Sequence, residues 1–168
     1  MALDRFGAVD VHYPDTGGAH AALVVAGTDR FAELTEERTA WLPEVAAYEP
    51  GRFYLRELPA LEAVLATTTA LELLIVDGYA DLDPTGTPGL GTHVHRSTGL
   101  PVIGVAKTAF HLATHAIPVR RGTATKPLFV TTAGFPLEDA AGLVAAMAGP
   151  HRLPDALRRV DRLARGRP

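Results

Sequence analysis

The stretch Leu73–Pro84, LLIVDGYADLDP, carries the strongest architectural signal in the chain. Its first four residues are apolar without alternation, as expected of a central parallel strand covered on both faces. It then turns acidic, with Asp77, Asp81 and Asp83 inside seven residues. A carboxylate is costly to bury without a partner. Asp77 therefore marks a strand end that either faces a cation or simply opens a turn, since Asp-Gly is a common turn pair.

On the N-terminal side the expected arrangement is a three-strand meander, of which the third member is ambiguous by period. Its members are FGAVDVHY (6–13), AHAALVVAG (19–27) and FAELTEERTAWL (31–42). Gly17-Gly18 suits the first hairpin. The third strand is read from its short spacing after Gly27-Thr28-Asp29. PEVAAYEPG (43–51) is a loop, and FYLRELPALEAVLATT (53–68) has helical spacing, with Pro59 expected in the first turn.

Beyond the central strand come a helix at LGTHVHRS (90–97), a strand at LPVIGVAK (100–107) and short strands at IPVRR (117–121) and KPLFVTT (126–132). Two helices follow, PLEDAAGLVAAMA (136–148) and PDALRRVDRLARG (154–166), with Pro154 expected at the N1 position of the second. A meander followed by alternating strands and helices is a mixed α/β sheet flanked by helices. The 168 residues are expected to form one domain, 1–168.

Composition removes several function classes. Cysteine, Asn and Gln are absent and serine occurs once, at Ser97, outside any G-x-S-x-G elbow. Disulfides, thiolate metal sites and acyl-enzyme chemistry are thereby set aside. His93 and His95 stand two apart with no His-Glu-x-x-His pattern, so a zinc site is not indicated. No apolar run reaches the roughly 18 residues of a membrane span, and the N-terminus does not read as a signal peptide. A cytoplasmic location is expected. The net charge of −3 hides a basic end, with Arg152, Arg158, Arg159, Arg162, Arg165 and Arg167 against Asp155 and Asp161. That end suits phosphates, or is a solvated helix face.

Asp10 lies inside an apolar strand between Val9 and Val11. If the first and fourth strands are parallel neighbours, Asp10 and Asp77 sit side by side. Their repulsion is then relieved by a hard divalent cation such as Mg²⁺. Glu57 and Asp161 read locally as helix-surface acids, and their spacing alone does not bring them to this pair.

The motifs VDVHYPDTGGAHAALVV, YEPGRFYLRELP, LLIVDG, GLPVIGVAKT, KPLFVTTAGFPLEDA and HRLPDALRRVD occur in an order that resembles the endonuclease V family, as a short and divergent member. The resemblance implies a ribonuclease H-like fold. It also implies a metal-dependent endonuclease that cuts DNA, or in some branches RNA, at the second phosphodiester 3′ of a deaminated base such as hypoxanthine. The family's catalytic, metal-holding carboxylates then fall on Asp10, Glu57, Asp77 and Asp161, with Mg²⁺, or Mn²⁺ as substitute, as cofactor. Lys107 of GVAK falls on the phosphate- or water-orienting lysine. Tyr48 matches an aromatic wedge beside Pro50, and Gly51, Gly78 and Gly104 match backbone lining the base pocket.

Two departures bear on substrate contacts. Asp83 stands where a histidine near the scissile phosphate is expected, and Glu49 places a negative charge in the wedge. Weakened action on deaminated DNA is the expectation. DLDPTGT (81–87) also resembles the D-x-D-x-T loop of haloacid-dehalogenase-type phosphatases, but the strand ends four residues too early. The alternative of another class is a non-catalytic nucleic-acid- or partner-binding domain on the same fold.

Overall fold

A computed structural model of the chain describes residues 4–50, 52 and 54–167. Among these residues seven strands form one sheet: β1 Phe6–His12, β2 Ala19–Ala26, β3 Leu34–Leu42, β4 Leu73–Asp77, β5 Val102–Ala106, β6 Ile117–Val119 and β7 Leu128–Ala133. Among the described residues four helices accompany them: α1 Tyr54–Leu65, α2 Leu90–Thr98, α3 Leu137–Ala146 and α4 Asp155–Ala164. The spatial order is β3-β2-β1-β4-β5-β7-β6. The meander is antiparallel, β1, β4 and β5 are mutually parallel, and β7 returns antiparallel between β5 and β6.

The apolar run of β4 is explained by cover on both faces. Leu73 and Ile75 pack with Ala8, Ile103, Val130 and residues of α3 and α4. Leu74 and Val76 pack with Val9, Val102 and residues of α1 and α2. At the far edge, β3 carries the consecutive charges Glu36, Glu37 and Arg38, which discourage pairing with another strand. Its Glu37 accepts two hydrogen bonds from Arg159, at 2.5 and 2.9 Å, which ties α4 to the sheet.

Two expectations need correction. Pro59 lies inside α1, beyond its first turn. It sits on the exposed face, where water can serve the carbonyl that proline leaves without a donor, while Ala60, Leu61 and Val64 hold the buried face. Pro154 occupies the extended N-cap of α4, one position before N1. Among the described residues no helix is long and apolar enough to cross a membrane.

Candidate active site

The chain leaves β1 in one direction through β2 and β3, then comes back through α1 to lay β4 against the other side of β1. The β1–β4 boundary is thus the switch point of the parallel part of the sheet, where crevices open beyond the carboxyl ends of strands. Ala8 pairs with Ile75. Extending that register by two residues sets Asp10 level with Asp77. Asp77 in turn pairs with Val105 in β5, and Lys107 follows on the same face.

Asp10, Asp77 and Lys107 line one cleft walled by Val9, Val76, Val105 and by Leu153, Leu157 and Val160. The Lys107 Nζ lies 3.8 Å from the Asp77 carboxylate. Asp77 is 49% exposed, so its tip is open to a ligand although protein surrounds its base.

The electrostatics show a shortage of positive charge. Burial, then the Asp77 charge, pushes the Asp10 carboxyl up to about 7 against the pull of its bond from the Val11 N–H and the attraction of Lys107. Burial, then the charges of Asp10 and Asp77, pushes Glu57 up to about 8. Asp77 is also raised by burial, a shift that Lys107 opposes. The charge of Asp161 raises both Asp10 and Asp77. Asp10 and Asp77 thus feel the charge of Asp161 and impose their own on Glu57, although the four acids come from β1, α1, β4 and α4.

The donor set is all carboxylate oxygen, which fits a hard cation. Mg²⁺ commonly takes one or two carboxylates and keeps its waters. Among the described residues no three His, Asp or Glu side chains already converge as metal ligands. Asp161 instead accepts a 3.0 Å hydrogen bond from Arg165, the residue that caps the end of α4.

The remaining residues named from the sequence separate into groups. Gly78 adopts φ +104°, a conformation that L side chains rarely take, and donates to the Val105 carbonyl at 3.0 Å. A Cβ on Gly104 would lie 2.6 Å from the Gly78 carbonyl oxygen and 2.7 Å from the Ala80 nitrogen. Gly104→Ala is therefore expected to displace the turn after β4 and cost about 1–3 kcal/mol, measured as a lower denaturation midpoint. Tyr48 is exposed at 59%, beside exposed Pro50. Glu49 pairs with Arg52 at 3.5 Å, so its charge is partnered within the loop. Gly51 lies outside the described residues.

Asp83 is engaged by its own turn. Its carboxylate accepts from the Thr85 N–H at 3.0 Å, the Thr85 hydroxyl at 2.7 Å and the Thr87 N–H at 3.2 Å. Bonds from Thr87 and Thr85 hold its pKa well below the usual carboxylate range. Asp81 likewise accepts from the Thr92 hydroxyl at 2.5 Å, which fastens this turn to α2.

Much of the basic end is also committed within the chain. Arg152 donates to the carbonyls of Lys107, Pro127 and Lys126, and so holds the segment that carries the cleft lysine. Buried Arg121 donates to the carbonyls of Met147, Gly149 and His151 ahead of α4. Nothing local marks either arginine as a clamp. Thr131 is equally unmarked, yet its buried hydroxyl accepts from the Ala80 N–H at 2.8 Å.

Comparison with known proteins points one way. A family model described as Endonuclease V matches residues 2–134, a span that includes Asp10, Glu57, Asp77 and Lys107 and stops short of Asp161. The chain is 32% identical to an endonuclease V of Nocardia farcinica, over 94% of this chain and 78% of that one. It is 30% identical to that of Streptomyces avermitilis, over 96% and 79%. The crystal structure of the Streptomyces avermitilis protein superposes with a TM-score of 0.80 at 30% identity, covering 98% of this chain and 81% of that one. Human endonuclease V does so at 0.77 and 26% identity, covering 98% and 84%. A Ciona intestinalis endonuclease V shares the fold with a TM-score of 0.83 at 17% identity, over 97% and 84%. That structure holds a 23mer DNA containing an inosine. The architecture is ribonuclease H-like.

Proposed function

The chain belongs to the endonuclease V family, and from that premise we propose that it is a divalent-cation-dependent endonuclease acting on nucleic acid with deaminated bases, hypoxanthine foremost, and cutting 3′ of the lesion. The carrying observation is the cleft itself: Asp10, Asp77 and Lys107 lie together at the carboxyl ends of three parallel strands. Two of those carboxylates lack enough nearby positive charge to stay ionised at ease.

In this reading Asp10 and Asp77 hold Mg²⁺ or Mn²⁺, and Glu57 and Asp161 complete the negative field around it. When bound, the cation polarises the phosphodiester and lowers the pKa of water. Lys107, 3.8 Å from Asp77, meets a phosphate oxygen at the mouth of the cleft and holds the strand in line. Glu57, raised by burial and then by the charges of Asp10 and Asp77, would be ionised once a cation offsets those charges, and in that state takes a proton from the attacking water. The apolar walls supplied by Leu153, Leu157 and Val160 lower the polarity at the base of the cleft and so strengthen these charge contacts. Tyr48 with Pro50 and Gly51 meets the distorted duplex, and Gly78 with Gly104 backs the lesion base. Asp83 shapes the turn beside the site, its charge engaged by Thr85 and Thr87.

The test is incubation with inosine-containing single- and double-stranded oligonucleotides, DNA and RNA, in Mg²⁺ or Mn²⁺. Cleavage 3′ of inosine, absent from undamaged controls, is the expected outcome. Cleavage no greater than that of an Asp77→Ala control would leave a nucleic-acid-binding domain in place of an enzyme.

A further inference from the structure

Beside the acids lies a groove of about 440 Å³, and of its lining only Tyr48 has a role above. Its lining includes Tyr13 and Asp15 after β1, Gly17, Ala46 and Tyr48 of the loop before α1, and Arg56. The volume falls in the range of small-ligand sites. The groove adjoins the acids through the chain itself, because Tyr13 follows Asp10 by three residues and Arg56 precedes Glu57. The guanidinium of Arg56 lies 4.1 Å over the Tyr13 ring, which makes it a fixed planar cation at the wall. Among the described residues Arg56 forms no ion pair, and its Nε and the Tyr13 hydroxyl find no hydrogen-bond partner.

The chemistry of this wall is selective. A phosphate would meet Arg56 favourably and Asp15 unfavourably. A flat heterocycle suits the whole set: aromatic and guanidinium planes to stack on, a cationic donor for ring acceptors, and a carboxylate for exocyclic or ring N–H groups. Gly17 adds no side chain, and nothing lies within 4 Å of where one would stand.

The geometry points to a second nucleobase site, in which an unstacked base other than the lesion is held between Tyr48 and the Arg56–Tyr13 pair with Asp15 at its edge. The inference rests on the nucleic-acid reading above and adds a second point of contact to it. Such a base would anchor the strand immediately next to Glu57, and so fix the register of the phosphate presented to the cleft.

An abasic scan tests it. One tetrahydrofuran residue is moved along each position flanking inosine in both strands, and affinity is followed by fluorescence anisotropy in Ca²⁺. Removing the base at one flanking position is expected to weaken binding by the wild-type chain about tenfold. In Ala46→Trp, which fills the groove from an exposed position, and in Arg56→Gln, that penalty should fall below about twofold while the preference for inosine persists. Absence of any sensitive flanking position overturns the site, as does a penalty unchanged in both variants. Loss of the inosine preference in the wild-type chain instead counts against the proposed function, and the flanking scan then still judges the groove. Failure to bind any oligonucleotide removes both.

Discussion

Asp77→Asn is expected to leave the fold intact and reduce cleavage of inosine-containing DNA on the order of 10³-fold, the size of a lost charge-stabilising contact at a reacting centre. The substitution conserves shape and removes one charge at the end of β4, where the side chain is half open to solvent and packing depends little on it. Three consequences separate this from a general structural defect. Mn²⁺ should bind at least about tenfold more weakly. The metal-free variant should melt higher than the wild-type chain at pH 8, because the second largest cause that raises Asp10 is gone. Lys107 should lose its ionic partner 3.8 Å away without disturbing β5, whose pairing with β7 runs from Val102 to Ala106 and does not include Lys107. Cleavage within tenfold of wild type would take Asp77 out of the machinery.

The second large effect is a stability profile that runs against habit for carboxylates. Asp10 and Glu57 have folded-state pKa values of about 7 and about 8, above their ordinary values of 3.8 and 4.5. Between those limits the folded chain keeps protons that the unfolded chain has released. Stability must therefore fall as pH rises from about 4 to about 8. His93, whose pKa is lowered by burial and then by Arg96, runs the other way in part of this window. The depressed acids Glu36, Glu37 and Asp83 lose their contributions only below it.

Melting the metal-free chain at pH 5 and pH 8 should show the higher midpoint at pH 5, and Asp10→Asn should flatten the slope. A cation binds the ionised acids, so Mg²⁺ or Mn²⁺ should restore stability at pH 8 and do little at pH 5. At a hundred times Kd, mass action contributes about 2.7 kcal/mol, or about 5–10 °C for a chain of this size. A midpoint that rises from pH 5 to 8 without metal would contradict the buried acid cluster. So would a metal shift of equal size at both pH values.

Much of this site is legible in the amino-acid sequence. The unbroken apolar run ending at Asp77 calls for a central parallel strand, and Val9-Asp10-Val11 calls for a strand acid that needs a cation. Both readings are local: period, burial and the cost of an unpaired charge. Their joint consequence, two acids side by side, requires only that β1 and β4 be neighbours, and they are. Glu57 and Asp161 are different. On their helices they look like ordinary surface acids, and only the family motifs single them out. Packing of α1 and α4 against the sheet brings their charges onto Asp10, with the Glu57 field also reaching Tyr13.

Asp83 illustrates the limit from the other side. Its place in the motif order suggests an awkward charge facing phosphate, yet Thr85 and Thr87 engage that charge within four residues. Gly104 reads equally well as simple turn chemistry. Its requirement comes from the Gly78 carbonyl and the Ala80 nitrogen crossing above it. Arg152 and Arg159, which read as part of a phosphate-binding end, are spent on backbone carbonyls and on Glu37.

The element types, the meander followed by alternating strands and helices, and the two acids that a strand cannot bury unaided are all written in the order of residues. They follow from periodicity and from the free energy of charge in an apolar setting, which neighbours along the chain already express. Packing in three dimensions sets which acids share one field, which charges are already neutralised, and where a groove stands open beside them. Those properties depend on distances between residues far apart in the chain, and Coulomb interaction, steric exclusion and hydrogen bonding act through those distances regardless of sequence separation.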